Sequence, residues 1–211
     1  MKQEAEQEVV KKRMSSEDRQ SEIVRVAVEL AAEKDVSSVT TQDMADAMQL
    51  TQGAIFRHFA SKEDIWLAVM GWIQKNLMKV LGKAAAEATD PLDAIERMFL
   101  AHMTFISKHP AIPRILFSEL QNKKGGKMRV LIQELLSGYE ERIAGLLEEA
   151  KKQSLVDAEL DSRSAAVLYI GMIQGLVMQV SIFGGKRSLL QEAVKTFPVF
   201  LQGIKKRSVT V

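Results

Sequence analysis

The chain contains no cysteine among its 211 residues, and this absence removes several kinds of chemistry. Without a thiol there is no disulfide, no thiol-based redox sensor and no cysteine-ligated zinc site. Only four prolines and twelve glycines interrupt the chain, while 46% of its residues are hydrophobic. Such a composition favours an ordered, helix-rich globular protein.

Three further signals are missing. Valine and isoleucine do not alternate with polar residues over a strand-length window, so a β-sheet is not predicted. The N-terminal segment, MKQEAEQEVVKKRMSSEDRQ, lacks the apolar centre of a secretory signal peptide and is rich in acidic residues. The net charge of +2 is nearly neutral, so overall charge does not indicate nucleic-acid binding. A DNA-binding surface would therefore depend on locally placed positive charge.

One long segment, residues 164–185, has no charged side chain: SAAVLYIGMIQGLVMQVSIFGG. Its length matches the ~20 apolar residues that span a bilayer. Gln174 and Gln179 lie inside it, however, and the rest of the chain is amphipathic. We therefore predict a buried or partner-facing helix, with no membrane as a partner.

The histidines do not indicate a catalytic or metal site. The chain has three, His58, His102 and His109, and none has metal-ligand spacing with another histidine and a carboxylate. A glycine-rich phosphate loop and a nucleophile elbow are also missing from the sequence. We therefore expect neither an enzyme, nor a cofactor, nor a bound metal.

Apolar residues instead recur at helical spacing along most of the chain. The first helix is predicted from a stripe at i, i+3, i+4, i+7 and i+8, formed by Ile23, Val26, Ala27, Leu30 and Ala31. Similar stripes predict an all-α fold of about nine helices. We divide it into an N-terminal tail with a helix-turn-helix domain, residues 1–62, and a C-terminal helical domain, residues 63–211.

The most informative stretch is TTQDMADAMQLTQGAIFRHFASK, residues 40–62. It predicts two short helices joined by a tight turn, followed by the capped start of a third helix. Residues suited to a small core are Met44, Ala45, Met48, Leu50, Ile55 and Phe59. Polar and basic residues alternate with them. A helix-turn-helix requires both sets, because one face is buried while the other lies in a DNA groove.

Several side chains in this stretch suit DNA recognition. Thr51 is predicted to begin the second helix, whose first turn reaches base edges in a major groove. Gln52 can make a bidentate contact with adenine, worth ~1–3 kcal/mol of discrimination. Gly53 and Ala54 are small enough for a close approach to DNA, and Arg57 suits a phosphate. Each residue alone would be an ordinary capping or solvated residue, so the prediction depends on their combination.

The stretch resembles the helix-turn-helix of the TetR family of bacterial transcriptional regulators. The resemblance covers the first third of the chain, and the matching residues are Thr40, Thr41, Met44, Ala45, Leu50, Thr51, Gly53, Ile55, Phe56, Arg57, His58, Phe59 and Lys62. Three positions depart from the family pattern. Gln49 stands where a turn glycine is usual, which predicts a strained or differently shaped turn. Ala54 replaces a common threonine, and Phe56 replaces a common tyrosine whose hydroxyl would reach a phosphate.

The resemblance implies an all-helical homodimer, located in the bacterial cytoplasm and associated with the nucleoid. Its N-terminal domain would bind a palindromic double-stranded DNA operator, and its C-terminal domain would bind a small effector and dimerise. Repression relieved by a largely apolar effector is the expected activity, and a helical adaptor without an effector is the alternative. The implied DNA contacts are Gln42 and Gln52 to bases, and Thr41, Thr51, Phe56, His58 and Lys62 to the backbone.

The C-terminal region is rich in methionine and aromatic residues, which form either plain core or an apolar ligand pocket. His102, Tyr169 and Gln174 would supply polar groups in such a pocket. The pocket residues that we predict are Trp72, Met98, Phe99, His102, Met103, Phe117, Tyr169, Met172 and Gln174. The long helix that begins at Lys62 joins this region to the helix-turn-helix. Effector binding is therefore predicted to change the spacing of the two recognition helices.

The dimer interface is predicted on the last two helices. Gly171 and Gly175 are four residues apart, so they share a helix face and allow a close approach. Two apolar helices from each subunit would form a four-helix bundle. The alternative is that both helices are internal core. The predicted interface residues are Gly171, Gly175, Leu189, Val194, Phe197 and Leu201.

Overall fold

The computed structural model describes residues 15–121, 125–184 and 186–205. Within these ranges the chain forms nine α-helices and no β-strand, which confirms the predicted all-α class. The helices are α1 (Ser16–Glu33), α2 (Thr41–Ala47), α3 (Gln52–Phe56), α4 (Lys62–Ala86), α5 (Pro91–Lys108), α6 (Ala111–Leu120), α7 (Lys127–Lys152), α8 (Ser162–Ile182) and α9 (Leu189–Ile204).

Local capping residues explain where most helices begin. The Ser61 side chain accepts a hydrogen bond from the backbone N–H of Asp64 at the start of α4, and the Asp90 side chain caps α5 ahead of Pro91. Thr40 forms a reciprocal capping box with Asp43, because each side chain accepts from the other residue's backbone N–H. These bonds satisfy N–H groups that have no partner within the helix.

Helices α1, α2 and α3 pack with the start of α4 around a small core. Its fully buried members include Ala27 of α1, Met44 and Ala45 of α2, Ile55 of α3 and Ile65 of α4. The core therefore joins α2 and α3, through α1, to the long helix α4, which continues into the C-terminal half.

The C-terminal helices form a bundle with α5 at its centre, packed against α4, α7 and α9. The Phe99 ring of α5 lies 5.6 Å from the Tyr169 ring of α8 and 5.1 Å from the Phe197 ring of α9, between centroids. This aromatic cluster joins three helices into one core.

Helix α6 lies between the two halves of the molecule. It packs against α1 and the short 3₁₀ turn Val36–Ser38, and also against α7. The Arg114 guanidinium of α6 donates a hydrogen bond of 3.0 Å to the Ala32 carbonyl near the end of α1. α6 therefore connects the C-terminal bundle to α1 and the 3₁₀ turn of the N-terminal domain, in addition to the covalent connection through α4.

Helix α8 is the uncharged segment, and its length and mean hydropathy of 1.7 would suit a membrane span. One face is packed inside the protein, where Ala166 and Tyr169 are fully buried. The opposite face carries exposed apolar side chains such as Leu168, which is 61% exposed. α8 is thus core on one side and an uncovered apolar surface on the other.

Candidate DNA-binding surface, ligand cavity and dimer face

The turn between α2 and α3 closes with two backbone hydrogen bonds around Gln49. The Gln49 N–H donates to the Asp46 carbonyl at 3.1 Å, and the Leu50 N–H donates to the Ala45 carbonyl at 2.8 Å. This pair is the Schellman motif, which needs a left-handed residue after the helix. Gln49 has a φ of 54°, which confirms that it occupies a position favouring glycine.

We expect Gln49→Gly to stabilise the protein by about 1 kcal/mol, because glycine has no Cβ to crowd the left-handed backbone. The melting temperature should rise by ~2–4 °C in a chain of this length. Ser154 ends α7 with the same bond pattern and a φ of 56°, so Ser154→Gly should act similarly. Gln153, with a φ of −87°, provides the control, and Gln153→Gly should give no gain. A lower melting temperature for Gln49→Gly, measured by circular dichroism, would contradict this account.

Hydrogen bonds within the motif hold both glutamines that are predicted to read bases. The Gln52 side chain, at the start of α3, donates through Nε2 to Thr41 Oγ1 at 2.7 Å. The Gln42 side chain donates through Nε2 to Asp46 Oδ1 at 2.6 Å. Both glutamines are exposed, whereas Thr41 is only 6% exposed. Thr41 thus lies behind Gln52 and positions it, instead of standing on the surface where the sequence analysis placed it.

The outer side of α3 carries further side chains that are predicted to contact DNA. Thr51 caps the helix by accepting from the Ala54 N–H at 3.3 Å, and it is exposed together with Gly53. Ala54 is half-buried. Phe56 is 45% exposed, an unusual position for a large aromatic ring. The structure therefore brings small, polar and aromatic groups together on one short helix face, with Arg57 exposed at its end.

His58 and Lys62 lie beside α3 and contact neighbouring elements. The His58 Nδ1 is 3.2 Å from the Ser16 hydroxyl of α1. The Lys62 ammonium donates to the Ser37 carbonyl at 3.2 Å. These contacts fix the corner between α3 and α4 against α1 and the 3₁₀ turn. Each side chain would exchange its present contact for a phosphate if it bound DNA.

Acidic Asp43 lies at the start of α2, and its charge is paired within the motif. The Lys34 ammonium is 2.7 Å from Asp43 Oδ1. The hydrogen bond from Lys34, followed by those from Thr40, holds the pKa of Asp43 well below its usual range. Asp43 therefore stays ionised and ties the end of α1 to the capping box of α2.

A cavity of about 150 Å³ lies between α4, α5, α6, α7 and α8. Its wall is almost wholly apolar, and none of the described lining residues is Asp, Glu, Lys or Arg. The lining residues are Ile73, Leu77, His102, Phe105, Ile106, Ile112, Pro113, Leu116, Phe117, Leu120, Ile132, Leu135, Leu136, Tyr139, Ile170, Ile173, Gln174 and Val177. Such a wall suits an apolar ligand.

Three of the nine predicted pocket residues line this cavity: His102, Phe117 and Gln174. Four others lie fully buried in the core, namely Met98, Phe99, Met103 and Tyr169. The remaining two lie elsewhere, since Trp72 packs edge-on against the His109 ring at 5.3 Å and Met172 lies in a groove between α8 and α9. Spacing alone could not separate these groups, because core and cavity walls both place apolar residues at helical intervals.

Apart from Phe117, the cavity walls on α6 and α7 were not predicted from the sequence. Leu116 of α6 and Leu135, Leu136 and Tyr139 of α7 all face the cavity. Their apolar stripes were the available signal, and these stripes predict a packed face without showing what that face packs against.

The polar groups of the cavity wall are few and uncharged. Burial lowers the pKa of His102 to about 4, so its imidazole is neutral at pH 7. His102 is half-buried as a residue, and its Nδ1 is buried and has no hydrogen-bond partner among the described residues. The Tyr139 ring lies 5.5 Å from the His102 ring, and burial raises the pKa of Tyr139. Within residues 15–121, 125–184 and 186–205, no cluster of three or more His, Asp or Glu side chains could hold a metal ion.

The outward face of α8 and α9 is apolar and uncovered. A Cβ built at Gly171 or Gly175 would have no atom within 4 Å, so both glycines border open space in the single subunit. The exposed apolar side chains on these helices include Val167, Leu168, Met178, Ile182, Leu190, Val194 and Val199. We name this surface the α8–α9 face.

Three predicted interface residues lie deeper than the sequence analysis placed them. Phe197 is 1% exposed and packs against Phe99, so it belongs to the core of its own subunit. Leu189 is 9% exposed and Leu201 is half-buried. Val194 lies on the surface at 61% exposure. The apolar stripe of an amphipathic helix can be wide enough to face both its own subunit and a partner. Only the packing shows which of its residues remain uncovered.

Both halves of the chain match family models. Residues 23–69 match the bacterial regulatory proteins of the tetR family, and residues 73–203 match the C-terminal region of YsiA-like proteins. The two matches meet within α4. Among curated proteins, the nucleoid occlusion factor SlmA of Vibrio cholerae is 24% identical over 159 residues, which covers 75% of this chain and 81% of SlmA.

Solved structures share the fold over nearly the whole chain. The transcriptional regulator FadR from Bacillus subtilis, in complex with stearoyl-CoA, has a TM-score of 0.77 at 21% identity, covering 87% of this chain and 98% of that chain. The ketosteroid transcriptional regulator KstR2 of Mycobacterium tuberculosis has a TM-score of 0.73 at 21% identity, covering 90% and 96%. The predicted resemblance is confirmed: the chain belongs to the TetR family of bacterial regulatory proteins and is a DNA-binding transcriptional regulator.

Proposed function

We propose that this regulator is a homodimeric repressor that leaves a palindromic operator when a small, largely apolar effector enters the cavity. The observation that carries the proposal is the position of α6. This helix forms part of the cavity wall and also contacts α1 of the DNA-binding domain. A ligand in the cavity and the orientation of the recognition helix are therefore mechanically connected.

The two faces of α6 contact different parts of the protein. Leu116 and Phe117 line the cavity. Arg114 holds the Ala32 carbonyl of α1 at 3.0 Å. Ile115 and Ser118 border a cleft shared with the 3₁₀ turn Val36–Ser38 and the start of α4. A shift of α6 driven from the cavity side would therefore be transmitted to the DNA-binding domain.

Helix α4 supplies the second connection, as the sequence analysis proposed. Ile73 and Leu77 of α4 line the cavity, and the same helix begins at Lys62 beside α3. Interiors are closely packed, so a ligand that enlarges the cavity must displace one of its walls. Displacement of α4 or α6 would change the distance between the two recognition helices of a dimer, which must match the half-site spacing of the operator.

The fold does not specify the effector. One structural neighbour holds stearoyl-CoA and another is named a ketosteroid regulator, so chemically different ligands occur on this architecture. In this chain the uncharged cavity wall favours an apolar effector. The alternative is a helical adaptor without a small effector. One relative is named a nucleoid occlusion factor, a role that its name does not tie to a small effector.

Arg114→Ala is expected to weaken the communication between cavity and operator. The experiment uses an operator selected by the wild-type protein from random duplexes, and a compound that raises the melting temperature of the purified protein. That compound should lower wild-type operator affinity by about 10-fold or more, within the usual range of allosteric coupling. In Arg114→Ala the same compound should still bind, but the decrease in operator affinity should be about 3-fold or less.

Arg97→Ala provides the matched control, because Arg97 is an exposed arginine of α5 paired with Asp93. Equal effector-induced release in wild type and Arg114→Ala would show that coupling does not pass through this contact. A compound that occupies the cavity and leaves wild-type operator affinity unchanged would contradict the repressor proposal and favour the adaptor.

A further inference from the structure

We propose that the effector is a neutral compound about the size of a substituted benzene ring, bearing one hydroxyl group that hydrogen-bonds the His102 imidazole. This inference rests on the proposed function, since it takes the cavity to be the effector site. It follows from the size of the cavity, the charge of its wall and the unpaired polar atom of His102.

The size of the cavity restricts the ligand. The cavity measures about 150 Å³. A cavity of roughly 150 Å³ lined by aliphatic and aromatic side chains holds benzene in another protein. A single ring with a short substituent therefore matches the space between Leu77, Phe117 and Ile173. A long acyl chain would require the walls to separate first.

The charge of the wall favours a neutral ligand. None of the described residues that line the cavity carries a formal charge at pH 7, because its single histidine is neutral. A carboxylate or an ammonium group placed there would lose its hydration without gaining an opposite charge. A fatty acid anion and the phosphates of a coenzyme A thioester are therefore poorly matched to this interior.

The His102 imidazole supplies the hydrogen-bonding requirement. Its Nδ1 is buried and finds no hydrogen-bond partner in the described part of the chain, which is costly for a polar atom. A neutral imidazole has one donor nitrogen and one acceptor nitrogen. A hydroxyl group both donates and accepts, so it can pair with His102 whichever nitrogen carries the proton. A purely apolar ligand would leave the imidazole unsatisfied.

Tyr139, whose ring lies beside that of His102, already has a partner for its hydroxyl proton. The Tyr169 hydroxyl donates to the Ile95 carbonyl at 3.3 Å, because a carbonyl can only accept. The 3.1 Å bond between the two tyrosine hydroxyls must then be donated by Tyr139. Tyr139 therefore has no proton left to donate to a ligand, whereas the neighbouring His102 imidazole can still hydrogen-bond one. This difference favours His102 over Tyr139 as the group that recognises the hydroxyl.

The test compares three probes of similar shape: 4-ethylphenol, ethylbenzene and 4-ethylbenzoate. Calorimetry at pH 7 on the full-length wild type should show 4-ethylphenol binding roughly tenfold tighter than ethylbenzene, with 4-ethylbenzoate weakest. His102→Phe keeps a ring of similar size without nitrogen atoms, and it should abolish the preference for the phenol. His102→Gln keeps a donor and an acceptor, and it should retain part of the preference.

The NMR signals of the histidine side chains in the wild-type protein show where the probe binds. This measurement remains informative if His102→Phe fails to fold. The chain has three histidines, so ¹⁵N-labelled imidazoles give a simple spectrum. 4-Ethylphenol should shift the His102 signals and leave those of His58 and His109 in place. The inference is overturned if none of the probes binds, if 4-ethylbenzoate or ethylbenzene binds tighter than the phenol, or if the His102 signals do not move. If the phenol binds through His102 but does not release the operator, the ligand chemistry stands and the proposed function fails.

Discussion

Gln52→Ala is expected to lower affinity for the operator by about 30-fold or more while leaving affinity for random DNA unchanged. Gln52 is exposed in the first turn of α3, where a recognition helix meets base edges. A bidentate glutamine–adenine contact is worth ~1–3 kcal/mol, and a dimer on a palindrome loses two of them. Fluorescence anisotropy with the selected operator and a scrambled duplex measures both affinities.

Arg57→Ala should change DNA affinity in a different way from Gln52→Ala. A phosphate contact positions the protein without reading sequence, so binding to operator and random DNA should weaken equally. The slope of log affinity against log salt should fall by about 2, since each of two subunits loses one phosphate contact. The double variant, Gln52→Ala with Arg57→Ala, should therefore lose both sequence preference and residual affinity.

One further variant tests the arrangement around Gln52, and another serves as a control. Thr41→Val keeps the buried, β-branched shape but removes the hydroxyl that accepts from Gln52, so operator affinity should fall partway towards that of Gln52→Ala. Gln133→Ala changes an exposed glutamine on α7 and should leave all affinities unchanged. Equal losses on operator and scrambled DNA for Gln52→Ala would show that Gln52 does not read bases. Failure of the wild type to select any sequence from random duplexes would contradict operator binding altogether.

Gly171→Leu is expected to separate the dimer and, with it, to remove operator binding. In the single subunit Gly171 borders open space, and leucine is the better helix former, so the subunit should fold at least as well. Across a twofold interface the added side chains would stand between helices that need close contact. Overpacking typically costs ~1–3 kcal/mol per site, and both copies of Gly171 are affected, so the dimer dissociation constant should rise by about 30-fold or more.

Sedimentation velocity and operator titration measure the two effects together. Gly145→Leu provides a matched control, because Gly145 is exposed on α7 and also borders open space. That variant should remain dimeric and bind the operator normally. Val194→Glu, which places a charge on the exposed α8–α9 face, should dissociate the dimer in the same way as Gly171→Leu. A Gly171→Leu protein that is dimeric and binds the operator as the wild type does would show that the interface lies elsewhere.

Features set by near neighbours in the chain were predictable from sequence. The helix starts at Ser61 and Asp90 and the left-handed position of Gln49 depend on hydrogen bonds between residues only a few positions apart. The order of small, polar and basic residues in Thr40–Lys62 likewise determined the family, because the helix-turn-helix is itself a short, local structure.

Features set by distant packing required the tertiary structure. Phe99 and Phe117 are alike in the sequence as aromatic residues on apolar stripes, yet one lies in the core and the other lines the cavity. Thr41 is predicted from the sequence to lie on the DNA-binding surface, but the structure buries it beneath Gln52. Arg114 reaches the end of α1 across 82 positions of the chain.

The sequence by itself therefore determined the fold class and the family, because periodicity and capping are properties of a single segment. The tertiary structure decided which apolar residues enclose a cavity, which remain uncovered on the α8–α9 face, and that α6 both lines the cavity and contacts α1. These depend on how separate helices pack, and an apolar stripe predicts burial without specifying its partner.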